Sequence, residues 1–265
     1  MNYLMESRDE IERLEKKTGF DAVKQQALWA GLREGMRVAD IGCGSGRTSS
    51  FLKELTGPSG SVTGVDLSQD RLDYARATYG RDGLTFEQRN IYEPLDDLGQ
   101  FDFIWVRFLL EYHKKSQFEL VQKFASMLSP GGILCLIDLD HNSLNHFGIP
   151  ERLEKALEES VAALSAVSDF DPYAGRKLYS HMHRLGLEEI DVHVGTHHLM
   201  FGEMNETDSY NWTKKLTIGL SSSPYDFPEY EGGFEEFAAE CLRYIADPGR
   251  FTYTPLISCR GIKGV

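Results

Sequence analysis

The run Arg37-Val38-Ala39-Asp40-Ile41, followed at once by Gly42-Cys43-Gly44-Ser45-Gly46, constrains this chain's fold more than any other segment. Five residues are too few for a helix, and a short apolar run closed by glycines reads as a buried strand feeding a tight turn. A helical stretch over 46–56 ends at Gly57. The strand Ser61–Val65 then leads to Asp66, and Ser68 caps a helix carrying Leu72, Ala75 and Tyr79 before Gly80. The alternation continues with strands at 84–88, 101–106 and 132–138. The helix between the last two starts at Ser116, with Glu119 placed to complete a capping box, and runs to Leu128. Strands alternating with helices imply a parallel sheet with helices on both faces. Right-handed crossovers leave the carboxyl ends of the strands free to form a crevice, so residues 41–47, 66, 90 and 107 are expected to meet one ligand.

The flanks follow a different rhythm. Ser7 and Glu10 have the form of a capping box before an apolar stripe beginning with Ile11 and Leu14, and a second helix is expected over 21–33. After His141 a long helix is predicted from about Pro150 to Val167, and another from Asp171, with Pro172 in its first turn, to Gly186. Strands are expected at 187–194 and 254–263. The roughly 55 residues between them exceed an ordinary connection. The reading is one α/β domain over 1–265, with N-terminal helices at 1–33 and a ligand-binding core at 34–144. Insertions at 145–186 and 195–250 are expected to form a helical cap over the strands' carboxyl ends.

Charge narrows the function. With 28 basic against 41 acidic residues the net charge is −13, which opposes binding to a phosphate backbone. Arg33, Arg37, Arg71, Arg76 and Arg81 could gather into a basic strip, but such arginines more often pair with nearby carboxylates. No nucleic-acid or membrane partner is expected, and with neither a basic-then-apolar leader nor a long apolar run the expected location is cytoplasmic. Cys43, Cys135, Cys241 and Cys259 lie far apart and read as reduced thiols. His181 and His183 project roughly 200° apart on a helix, so no metal site is expected of them. Oligomeric state is not readable.

Asp40 decides between ligands for the glycine turn. Beside a dinucleotide its carboxylate would face a doubly charged pyrophosphate, and the third glycine of a nicotinamide fingerprint belongs where this chain has Arg47. An NAD(P) oxidoreductase is therefore disfavoured. Beside S-adenosylmethionine (SAM) the same carboxylate meets a cationic amino group. Asp66, 24 positions after Gly42, stands where an acidic side chain accepts hydrogen bonds from both ribose hydroxyls.

Val38-Ala39-Asp40-Ile41-Gly42-Cys43-Gly44-Ser45-Gly46, Val62 to Ser68, Gln88 to Leu95, Phe101 to Leu110 and Leu128 to Asp138 together resemble the class I SAM-dependent methyltransferases over roughly residues 30–140. The resemblance implies a Rossmann-like seven-stranded sheet, mostly parallel with its last strand antiparallel, and SAM as cofactor. It also implies a cofactor site of Asp40, Gly42, Gly44, Gly46, Asp66 and Leu67, with Ile91 against the adenine and Arg107 lining the methionine end with its backbone. Asn90 stands where the family often has an aspartate, and an amide oxygen can accept from the adenine amino group. The carboxyl half is similar to small-molecule methyltransferases of the ubiquinone and menaquinone biosynthesis type, which implies a small acceptor.

Methyl transfer from a sulfonium is an in-line displacement, so the protein must align the reactants, exclude water and, where needed, take a proton. Glu111, Tyr112, His113 and His141 follow strands where acceptor-facing groups belong. His113 and His141 are the candidate bases, against exposed or core histidines as the alternative. Asp138, Asp140 and Asn142 could form a metal cluster, but Arg107 stands where a further acidic ligand would be needed, so a structural role is expected and no metal. Tyr210, Trp212, Tyr225, Phe227 and Tyr230 could wall an acceptor pocket or fill the cap's own core. Arg176 and Lys177 could attract an acidic acceptor or lie on a solvated helix face. The function expected is methylation of a small molecule. SAM binding without turnover and tRNA methylation remain as alternatives.

Overall fold

The computed structural model describes residues 10–17 and 19–264, so Ser7 of the expected capping box lies outside the described residues. Its strands are β1 (Arg37–Ile41), β2 (Ser61–Asp66), β3 (Leu84–Gln88), β4 (Phe101–Arg107), β5 (Leu128–Leu139), β6 (His146–Phe147), β7 (Glu188–Met200) and β8 (Phe251–Ile262). They form one eight-stranded sheet in the order β3-β2-β1-β4-β5-β8-β6, with β7 on the other edge of β8. The first five strands are parallel and β8 runs antiparallel to β5, β6 and β7. This is the expected Rossmann-like sheet with one addition, the two-residue β6, which pairs with Phe251 and Thr252. Strand β7 outruns the predicted 187–194 because a register shift between Thr196 and His198 carries the pairing past the point where alternation breaks down.

Helices α1 (Glu10–Lys17), α2 (Phe20–Ala30), α3 (Arg47–Thr56), α4 (Gln69–Tyr79), α5 (Gln117–Ser126), α6 (Glu151–Val167), α7 (Leu178–Arg184), α8 (Glu206–Lys214) and α9 (Gly233–Ala246) complete the described chain. Val23, Ala27, Leu52, Leu72 and Ala75 of α2, α3 and α4 pack on one face of the sheet. Leu120, Val121 and Phe124 of α5, with Leu178 and Met182 of α7, cover the other. Both faces are buried, which is why the central strands read as nearly continuous apolar runs.

Two helix starts differ from the sequence reading. Ser68 caps α4 by accepting from Arg71 N (3.4 Å), whereas Ser116 makes no side-chain cap bond at α5. Asp171 does not open a helix. Its Oδ1 accepts from Tyr173 N (3.1 Å) in a turn, and a short 3₁₀ stretch over 175–177 delays α7 to Leu178. The 145–186 segment therefore divides, with α7 in the sheet's own helical layer and α6 outside it.

A third apolar cluster joins α6, α8 and α9 through Leu157, Trp212, Leu216, Phe227, Tyr230 and Phe237. Phe237 is fully buried, with its ring 4.5 Å from that of Phe227 and 5.8 Å from that of Tyr230. Tyr225 packs against the same cluster and Tyr210 faces the Lys16 ammonium, 4.7 Å from its ring centre. Trp212, Tyr225, Phe227 and Tyr230 thus build this accessory layer, and none of the late aromatics lines the cavity over the glycine turn. No helix among the described residues is long and apolar enough to cross a membrane.

Candidate active site

The glycine turn forms because the chain must reverse at the end of β1 without side chains in the way. Gly42, Gly44 and Gly46 all have positive φ (77°, 56° and 82°), a conformation costly for residues with a Cβ. A Cβ on Gly46 would lie 2.6 Å from that of Ala75 and 2.8 Å from the Phe86 ring, and one on Gly44 2.9 Å from Leu14 of α1. Gly46 therefore serves the packing of α3 against α4 and β3, and it does not line the crevice.

Over the turn lies a cavity of about 530 Å³. Asp40, Gly42, Gly44, Asp66 and Leu67 line it, as do Asn90 and Ile91 after β3, Arg107 of β4, and Tyr112, His113 and Phe170. The fold thus gathers eight of the nine cofactor-site residues singled out in the sequence, Gly46 being the exception. Of the two candidate bases, His113 lines the cavity. His141 does not, since it sits beyond β5 with positive φ and its ring edge-on to Tyr173 at 5.0 Å.

The charged groups are held in defined positions. Asp66 accepts from Gly44 N and Ser68 N (2.9 Å each) and pairs with Arg71 (3.3 Å). Its carboxylate therefore points along the glycine turn with lone pairs still available to a ligand. Asp40 accepts from Ser49 Oγ (2.6 Å). Burial pushes its carboxyl up to about 7, opposed by the Ser49 hydrogen bond and reinforced by the charge on Asp66. Asn90 Oδ1, expected to face an adenine amino group, instead accepts from Tyr92 N (3.1 Å), which leaves one lone pair free.

His113 Nδ1 lies 2.7 Å from the Tyr92 hydroxyl. Burial lowers its pKa against the charge of Asp169, which favours the neutral ring. A neutral His113 whose Nδ1–H donates to Tyr92 has Nε2 free to accept a proton.

The remaining candidates have protein partners. Asp138 accepts from Glu111 N (3.1 Å) and Leu139 N (2.9 Å), and burial beside Glu111 raises its pKa well above the carboxylate range. Asp140 is held by both nitrogen donors of Arg176 (2.7 and 2.9 Å), and Lys177 bonds Asp171. Arg176 and Lys177 are thereby committed within the fold. Asn142 donates to Glu111 Oε2 (2.8 Å) and accepts from the buried Lys215 (3.0 Å), a lysine that opens a π-helical turn. Four of the five arginines considered for a basic strip are likewise paired: Arg37 with Asp102, Arg71 with Asp66, Arg76 with Asp73 and Arg81 with Glu54.

Helix α1 is the part of the site that sequence reasoning missed. Glu10, Arg13 and Leu14 line the cavity. Glu15 accepts from Ser45 Oγ (2.7 Å) and Arg47 (2.9 Å) and so fastens the helix to the glycine turn. Its dense alternating charges, Glu10 to Lys17, look like a solvated helix from sequence alone. Only the turn beneath it reveals the role.

A doubly wound sheet with a glycine turn, carboxylates on its two central strands β1 and β2 and one cavity over the turn defines a Rossmann-like α/β domain. Residues 38–132 match the family model of the methyltransferase domain. The chain is 27% identical over 140 residues to a demethylmenaquinone methyltransferase of Lactococcus lactis, covering 49% of this chain and 55% of that one. It is 33% identical over 119 residues to a ubiquinone biosynthesis O-methyltransferase of Bordetella avium, covering 43% and 46%. The chain thus spans about half the length of these curated relatives. A cyclopropane-fatty-acyl-phospholipid synthase-like protein from Lactobacillus casei superposes with a TM-score of 0.59 at 15% identity, covering 97% of this chain and 94% of that one. Phosphoethanolamine N-methyltransferase 2 of Haemonchus contortus, solved with SAM, does so at 0.53 and 18%, covering 93% and 53%. Both likenesses concern the fold.

Proposed function

We propose that the protein transfers a methyl group from SAM to a small-molecule acceptor. The observation that carries this reading is that the glycine turn and Asp66 line the same cavity as Tyr112, His113 and Phe170, so that a nucleoside cradle and an aromatic far end for the acceptor share one space. The cradle fits the cofactor by its own geometry. Gly42 leaves space that a Cβ would close, at 3.0 Å from Leu109. Asp66 is aimed by two backbone amides to accept from ribose hydroxyls, Leu67 and Ile91 offer apolar contact to a purine, and Asp40 offers a carboxylate to the amino group.

Bound there, SAM supplies an electrophilic methyl group on a sulfonium. The chain's own residues orient the acceptor and shut out water, a competing nucleophile. Phe108, Tyr112 and Phe170 enclose the far end, and α6, α8 and α9 serve as a cap on the acceptor side, anchored by Lys215 on Asn142 and Ser143. His113 Nε2 takes the acceptor's proton where the acceptor has one to lose. General-base assistance of this kind contributes about 10²- to 10⁴-fold.

The test is incubation with methyl-labelled SAM and a cell extract, separated by size. Label is expected in a low-mass fraction distinct from SAM breakdown products, and label confined to macromolecules would refute the small acceptor. With an acceptor in hand, His113→Gln is expected to lower kcat by about 10²-fold or more with SAM affinity unchanged. An unchanged kcat removes His113 from proton transfer.

A further inference from the structure

Arg107 ends β4 and lines the cavity, yet among the described residues the side chain has no hydrogen-bond or ion-pair partner, its buried Nε included. Its guanidinium lies over the Phe108 ring, 4.0 Å from the centre, which supports the plane of the group and supplies no acceptor. Two positions earlier on the same strand, Trp105 also lines the cavity, and its buried Nε1 is likewise without a partner. Residues two apart on a strand share a face, so two unmet donors project to the same side of β4.

Arg107 is half-buried, and a cation whose buried donor lacks an acceptor is costly and ordinarily found paired. The nearest carboxyls answer poorly. Asp40 and Asp138 both bear on Arg107 electrostatically, but each is itself pushed toward the neutral acid by burial. Asp138 has its two oxygens on backbone amides and Asp40 holds Ser49. Arg107 is left as a planar fork of donors facing a cavity, and the ligand shape that matches such a fork is a carboxylate.

We propose that Arg107 is the cavity's carboxylate receptor, and that the methyl acceptor is accordingly a small organic acid whose carboxylate docks on it. This deepens the methyltransferase reading and rests on it for the word acceptor. The same chemistry has a second source, the carboxylate of the donor's own methionine end, and the experiment separates the two.

Calorimetry on the full chain compares two ligand pairs in wild type, Arg107→Gln and Arg107→Lys. One pair is S-adenosylhomocysteine and its decarboxylated analogue. The other is benzoate and benzamide, titrated both alone and in the presence of S-adenosylhomocysteine. The expected result is a preference of tenfold or more for benzoate in wild type, erased by Arg107→Gln and partly kept by Arg107→Lys, whatever change either variant makes in S-adenosylhomocysteine affinity. A preference confined to the donor pair and erased by Arg107→Gln keeps the receptor and overturns the organic-acid acceptor. No preference in either pair, or one that survives Arg107→Gln, overturns the receptor. Failure of wild type to bind S-adenosylhomocysteine overturns the methyltransferase reading separately, since benzoate titrated alone still reports on Arg107. Thermal melting of the three proteins shows whether each variant is folded, and Arg107→Lys provides the reading if Arg107→Gln is not.

Discussion

The two ends of the cavity are built differently. At the nucleoside end several contacts that shape the site join close neighbours in sequence, Asp66 to Ser68, Asn90 to Tyr92 and Asp40 to Ser49, and the longer ones run from the glycine turn to Asp66 and Glu15. At the far end they join distant segments. Glu111 meets Asn142 across 31 positions, Gln117 meets Asp171 across 54, and Asn142 meets Lys215 across 73. The first end is a local device that the backbone produces once β1 and β2 pair. The second exists only after the accessory layer of α6, α8 and α9 has docked, so its shape can change without disturbing the first.

The sharpest way to break that comparison is to damage the accessory layer alone. Phe237 is fully buried among Phe227, Tyr230 and Phe234, and Phe237→Ala is expected to cost about 4 kcal/mol of stability, the scale of a core aromatic deletion. The surviving folded protein should bind S-adenosylhomocysteine within about threefold of wild type, since Phe237 does not line the cavity and effects at sites without shared partners are nearly independent. Chemical denaturation and calorimetry measure the two quantities. A large loss of nucleoside affinity at full folding would show the ends to be one cooperative unit.

The converse test removes Asp66. Asp66→Ala deletes an acceptor of two ribose hydrogen bonds, and the expected loss of SAM affinity is about 3 kcal/mol, or roughly 150-fold in Kd. The cap should be unaffected, as followed by fluorescence of Trp212, which is buried in the accessory layer. Undiminished affinity would remove Asp66 from the cofactor site.

The same contrast explains what the sequence made legible. The strand order, the glycine turn and the residues at the ends of β1, β2, β3 and β4 follow from spacing and turn chemistry, because period-two strands and helix caps are local signals. The addition of α1 to the site was hidden, since Glu10, Arg13 and Glu15 look like an exposed charged helix until Ser45 and Arg47 are seen beneath them. The late aromatics left two roles open, because an aromatic fills a core and walls a pocket equally well. Only the packing of Phe237 and Trp212 with α6 selects the core. Asn90 lines the cavity as expected, and what spacing to a ligand does not reveal is that its side chain also bonds its own backbone at Tyr92 N.

The smallest expected effect per step sharpens the comparison most finely, because it separates folding from binding at one residue. Asp40 is raised from an ordinary 3.8 to about 7, first by burial. Between those two values the unfolded chain has lost the Asp40 proton while the folded chain keeps it. The folded state then binds more protons, and this residue's contribution to stability falls as pH rises from about 4 to 7, by up to about 1.4 kcal/mol per pH unit. Binding has the opposite sign. The amino group of SAM is cationic and prefers the ionised carboxylate, so affinity should rise through the same window, by up to about tenfold per pH unit, and level off above 7. Asp40→Asn is expected to flatten both trends together while keeping Ser49 a hydrogen-bond partner. The check is a pair of pH series over 5 to 8, one of melting without ligand and one of S-adenosylhomocysteine binding by calorimetry, for both proteins. A wild-type binding curve as flat as that of Asp40→Asn would mean that the amino group is held elsewhere. A flat difference in melting would mean that Asp40 ionises in the folded state at an ordinary carboxylate pH, and that the nucleoside end meets its ligand already charged.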